Sequence, residues 1–81
     1  MSRVPRDVSG AGLVKALRKV GYEPVRQVGS HIRLTTQVNG EHHVTVPNHN
    51  PVPVGTLTGI VGDVSDHLKI TREELLDLLF G

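Results

Sequence analysis

From His31 to Val38 the chain alternates, with Ile32, Leu34, Thr36 and Val38 on one parity and His31, Arg33, Thr35 and Gln37 on the other. Successive side chains of a strand point to opposite faces, so this pattern predicts an antiparallel strand with one face in a core and one in water. Asn39-Gly40 follows, the dipeptide that most readily takes up the positive φ angles of a tight hairpin turn. A third strand then runs over about 42–46, with Val44 and Val46 inward and His43 and Thr45 outward, until Pro47 stops it. Upstream, Pro24–Val28 is short and extended, with Pro24 suited to an edge or a strand start. Gly29-Ser30 is the turn between the first two strands.

A meander with one apolar face must be covered, and the flanking segments supply helices. Ser9 is a plausible N-cap. Leu13, Val14, Leu17 and Val20 then recur at helical spacing, and Gly21 fits the left-handed position beyond a helix end, so a helix over about 9–20 is predicted. After the loop Asn48–Pro53, a second helix starts near Val54 and runs toward Leu68, although Gly59 and Gly62 each cost it about 1 kcal/mol relative to Ala. Thr71-Arg72-Glu73-Glu74 reads as a capping box that opens a last helix bearing Leu75, Leu76, Leu78, Leu79 and Phe80. The expected architecture is α+β, in the order α-β-β-β-α-α. All helices lie on one face of a three-stranded antiparallel sheet, and the other face is left polar and open.

The 81 residues make a single domain, 1–81, with one modest core and 1–8 as a loose arm. There is no cysteine, which excludes disulfides and thiolate metal sites. No apolar run of membrane-spanning length and no signal-peptide pattern occurs, so the cytoplasm is the expected compartment. Charge is uneven: residues 1–33 carry seven Lys and Arg against two acids, net +5, whereas residues 34–81 carry two against six, net −4. The basic half, including Lys15, Arg18, Lys19, Arg26 and Arg33, suits a polyanion; two solvated helices of opposite sign would give the same numbers.

Of the five histidines, His31 opens the second strand directly after the Gly-Ser turn, with Arg33 on the same outward face. An imidazole titrates near neutral pH and so suits proton transfer, and a guanidinium can grip a phosphate with two hydrogen bonds. On spacing alone, an ordinary surface histidine in a turn is the favoured reading. His43 faces outward and reads first as a solvated strand residue, with a site-adjacent place as the alternative; His49 sits in the Pro47–Pro53 loop, and His67 reads as a helix-surface residue. Zinc fits poorly, because His42 and His43 should point to opposite faces and no carboxylate pair stands at metal spacing. No metal or cofactor is expected.

Several fragments, in order and covering most of the chain, resemble the HicA (YcfA-like) family of bacterial and archaeal toxins. They are Ser9-Gly10 leading a helix that ends at Gly21-Tyr22, Gly29-Ser30-His31 before Arg33-Leu34, Val44-Thr45-Val46-Pro47-Asn48-His49, and Gly55-Thr56-Leu57 with Ile60. The stretch Thr71 through Leu79 is similar to the family's terminal helix. The resemblance implies a fold like the double-stranded-RNA-binding domain, ribonuclease activity on messenger RNA, and a HicB-type antitoxin that blocks the site. It implies His31 as the catalytic residue, with Gly29, Ser30 and Arg33 at the RNA and His49 structural or beside the site. Two features depart from the family pattern: Thr58–Asp63 carries no Lys or Arg, and Ile60–Thr71 is about four residues longer. The alternative function is a non-catalytic RNA-binding module that reads A-form shape through backbone contacts. A pure protein-interaction domain would use the apolar last helix but leaves Gly29-Ser30-His31 without a role.

Overall fold

The alternation in the middle of the chain is realised as a meander. A computed structural model describes residues 4–81; residues 1–3, which include Arg3 and the start of the expected arm, lie outside it. The order is α1 (Gly10–Arg18), β1 (Glu23–Val28), β2 (His31–Thr36), β3 (His42–Pro47), α2 (Val54–Leu68) and α3 (Arg72–Phe80). The strands form one antiparallel sheet in the order β1-β2-β3. Leu34, Val44 and Val46 are buried against Leu13 and Leu17 of α1, Leu57, Val61 and Val64 of α2, and Leu75 and Leu79 of α3. The α+β architecture with helices on one face is therefore as the pattern requires.

Helix ends follow local chemistry. The Ser9 hydroxyl accepts a hydrogen bond from Gly12 N at 3.0 Å. Thr71 Oγ1 accepts from Glu74 N while Glu74 Oε1 accepts from Thr71 N, both at 3.0 Å, which completes the capping box. Gly62 is buried on α2, where a Cβ would stand 2.7 Å from an Arg72 guanidinium nitrogen, the movable end of a long side chain. The added length between Ile60 and Thr71 is helical, since α2 continues unbroken to Leu68.

Two expectations are corrected. Val38 was expected inward on β2, but the strand ends at Thr36 and Val38 is 47% exposed. The cause is the Thr36 hydroxyl, which accepts from Val38 N at 3.1 Å and bends the chain out of the ladder toward Asn39 and Gly40, both at positive φ. Residues 4–8 of the expected arm are also not loose. Val4 and Val8 pack against the core, and Val52 N donates to the Val8 carbonyl at 2.7 Å.

The start of α1 is pressed onto the end of β3. Gly10 N donates to the His49 carbonyl at 2.8 Å, and a Cβ on Gly10 would lie 2.5 Å from the Pro47 carbonyl oxygen and 2.7 Å from Asn48 Cα. Ala normally outperforms Gly in a helix by roughly 1 kcal/mol. Gly10→Ala should reverse that sign, because the obstacle is backbone, and destabilise by about 1–3 kcal/mol. Thermal unfolding of the variant checks this; an unchanged or raised Tm would show that the contact is not tight.

Candidate functional site

The outer face of the sheet is a set of cross-strand rows fixed by register. Glu23, Thr35 and His43 form one, Arg26, Arg33 and Thr45 the next, and Val28, His31 and Pro47 the last. Simple alternation from the inward Pro24 would turn Arg26 toward the helices. An irregularity between Pro24 and Arg26 adds one residue to β1 and returns Arg26 to the outer face beside Arg33.

Arg26, Val28, His31, Arg33 and Thr45 line a hollow of about 190 Å³ on this face. Arg26 and Arg33 are direct cross-strand partners, and among the described residues neither has an ion-pair partner. Like charges directly opposite across a ladder destabilise it by roughly 0.2–1 kcal/mol. Two guanidiniums, a threonine hydroxyl and an imidazole in one hollow form a seat for an anion with a proton-transfer group at its rim. His31 is exposed at the first position of β2. The turn before it is held by Gly29 at φ 58° and by Asn48 N–H donating to the Ser30 carbonyl. No atom lies within 4 Å of where a Gly29 Cβ would be, so glycine serves the backbone angle there, and the surface above it is open to a ligand.

The remaining candidates separate. His43 shares the outer face but pairs with Thr35, four residues along the ladder from His31, roughly 13 Å at 3.3 Å per residue. Its Nε2 is 3.0 Å from Glu41 Oε2. His49 is exposed just past Pro47, the partner of His31, with its backbone tied to Gly10 and Pro47. Lys15, Arg18 and Lys19 line a groove with Glu23 at the far end of β1. Arg18 Nε lies 3.3 Å from Glu23, and Lys19 Nζ donates to the Leu79 carbonyl at 3.3 Å. The structure thus joins Arg26, His31 and Arg33 in one hollow and places the helix cations in another. Val28 and Thr45 complete the first hollow; Thr45 was legible as outward, whereas Val28 carried no signal.

His67 is corrected: it is not a free helix-surface residue. Its Nε2 donates to the carbonyls of Val38 and Gly40 at 2.8 and 3.0 Å, and its ring stacks on His42 with centroids 4.3 Å apart. His42 in turn lies 2.7 Å from Tyr22 Oη and 3.3 Å from Asp63. The cluster clamps the β2–β3 turn to α2. Among the described residues no group of His, Cys, Asp or Glu could hold a metal ion.

What fold and face define is a small α+β domain with helices behind a three-stranded sheet and a cationic, histidine-bearing front. The family model described as HicA toxin of bacterial toxin-antitoxin matches residues 10–70, and the chain belongs to that toxin family. No curated protein and no solved structure matches the chain. Among the described residues no helix is long and apolar enough to cross a membrane.

Burial, then the negative charge of Asp63, pushes the Tyr22 phenol up from 10.0 to about 12. The folded state therefore holds this proton more tightly than the unfolded chain does. The resulting stability is intact below pH 10 and is lost as pH rises toward 12. Tyr22→Phe should weaken that alkaline decline in denaturant midpoint, and an identical decline in both proteins would place its cause elsewhere.

Proposed function

We propose that the protein is a metal-independent ribonuclease, a toxin that cleaves messenger RNA in the cytoplasm with His31 as its acid–base group. The observation that carries this is His31 at the rim of a hollow whose paired arginines have no ion-pair partner among the described residues. RNA brings its own nucleophile. His31 takes the proton of a 2′-hydroxyl, the oxygen attacks the adjacent phosphorus, and the 5′-oxygen of the next nucleotide leaves and takes up a proton. The products are a 2′,3′-cyclic phosphate and a 5′-hydroxyl. Arg26 and Arg33 hold the nonbridging oxygens and offset the charge that grows on them. Gly29 and Ser30 let the RNA backbone come close, and Lys15, Arg18 and Lys19 attract it from the groove at the other end of β1, so affinity falls steeply with salt.

The partner is an antitoxin of the HicB type that covers the same open face. Acidic side chains on it would complement Arg26 and Arg33.

His31→Ala removes an exposed side chain and leaves no cavity, so it should fold, bind RNA and lose about 10²–10⁴ in cleavage rate. His43→Ala is the matched control, since its ring stands a long way up the ladder; His67→Ala is unsuitable because it breaks the clamp. Wild-type cleavage should persist in EDTA and stop when the antitoxin is added. Native-rate cleavage by folded His31→Ala would overturn the assignment, and a complex that still cleaves would overturn occlusion.

A further inference from the structure

The chain has one Tyr and one Phe, and neither is on the outer face. Tyr22 is fully buried, and Phe80 packs against the core from α3. No Tyr or Phe therefore offers a stacking platform on this face, the usual sequence-tolerant device. A pocket within reach of a phosphate bound at Arg26 and Arg33 would hold the neighbouring base instead.

One pocket is in reach. A depression lined by Gly21, Glu23, Thr35, Thr36, Gln37 and Val38 lies where β1 begins and β2 ends. The bulge takes up one residue, so Glu23 stands two ladder positions from Arg26, roughly 7 Å at 3.3 Å per residue. Glu23 also lines the groove of Lys15, Arg18 and Lys19. The hollow at His31, this depression and the cationic groove therefore all border β1, with the depression between two phosphate-attracting patches.

Its chemistry suits a base. Gly21 and Val38 meet closely, with Val38 Cγ2 2.8 Å from where a Gly21 Cβ would stand, and they form an apolar floor for a planar ring. The polar groups stand around it. The Glu23 carboxylate accepts only, and it lies 3.3 Å from Arg18. Among the described residues the Gln37 amide has no hydrogen-bond partner, so its donor and acceptor are both free for a ligand. An acceptor beside a free amide matches a base edge with an exocyclic amine next to a carbonyl or ring nitrogen. Guanine, adenine and cytosine present such an edge. Uracil offers only N3–H, set between two carbonyls, so a carboxylate that accepts from it has at least one carbonyl oxygen forced alongside.

We propose that Glu23 and Gln37 form a specificity pocket for the base adjoining the bound phosphate, and that it selects amino-bearing bases over uracil. This rests on the reading of the His31 face as an RNA site. The acidic pocket lies in an otherwise basic half of the chain, where it repels phosphate and so reserves itself for a base.

The test is binding by fluorescence anisotropy of short 2′-O-methyl oligoribonucleotides, which cannot be cleaved and which differ at one base. Each is measured with wild type, Glu23→Gln and Gln37→Ala, and cleavage of the matching unmodified RNA is followed in parallel. Wild type should bind the cytosine, adenine and guanine oligomers about tenfold more tightly than the uracil one, the scale of one specific base contact. Glu23→Gln should narrow the gap by improving uracil rather than by weakening the rest, and Gln37→Ala should weaken the amino-bearing set. Equal affinity for all four bases in wild type, or an unchanged preference in both variants, overturns the pocket. Loss of cleavage in His31→Ala bears only on the underlying ribonuclease reading, because base preference is read from binding.

Discussion

The register of β2 against β3 is the constraint on which the rest depends. With Leu34 opposite Val44 and Ile32 opposite Val46, the inner face is buried against the helices, at roughly 1.5–3 kcal/mol for each fully buried apolar side chain. The period of a strand is two, so a slip of one residue would expose these side chains and drive Arg33 and His31 into the core. The energetics of burial therefore choose, without reference to function, which residues face out. The Thr36 hydroxyl, the positive-φ pair Asn39 and Gly40, and the His67 contacts to Val38 and Gly40 hold the turn that sets this register.

On the outer face the physical logic changes. A sheet selected for stability alone would not set Arg26 opposite Arg33 without an ion-pair partner among the described residues, nor add a residue to β1 to bring them together. The same bulge, with Pro24 and the charges of Glu23 and Arg26, also suits an edge strand that must not pair with stray chains. His31, the proposed proton-transfer group, stands on a regular strand end beside the Ser30 to Asn48 hydrogen bond, and a strand end holds a side chain more firmly than a free loop does. The face is open, so on the proposed reading an antitoxin that covered it would silence the site without a lid.

Much of this was legible in the sequence because it is periodic or capped. The alternation from His31, the turn at Asn39-Gly40, the Ser9 cap and the Thr71 to Glu74 capping box each reflect local chemistry, and their elements appear where expected. His31 and Arg33 on one open face followed from the same alternation. The bulge at Val25 was not legible, because nothing in Glu23–Val28 distinguishes a regular strand from one with an added residue, so the Arg26 to Arg33 pairing emerged only in three dimensions. Val38 was misread because the Thr36 hydroxyl turns the chain out of the ladder at a point where the alternation itself continues. His67 was misread because a contact between α2 and the β2–β3 turn joins residues 29 apart, beyond the reach of any helical or strand period. The packing of the Gly10 region on Pro47 and Asn48 is long-range in the same way.

The central claim is that the outer sheet face, centred on the Arg26–Arg33 pair and His31, receives RNA. The most direct measurement is an amide and imidazole chemical-shift titration of the isotope-labelled protein with a non-cleavable 2′-O-methyl oligoribonucleotide. The account predicts that the largest changes fall on Arg26, Val28, Gly29, His31, Arg33 and Thr45, while α3 and the inward residues Leu34 and Val44 change little. Changes centred on α2 and α3, with the His31 ring unaffected at saturation, would contradict it.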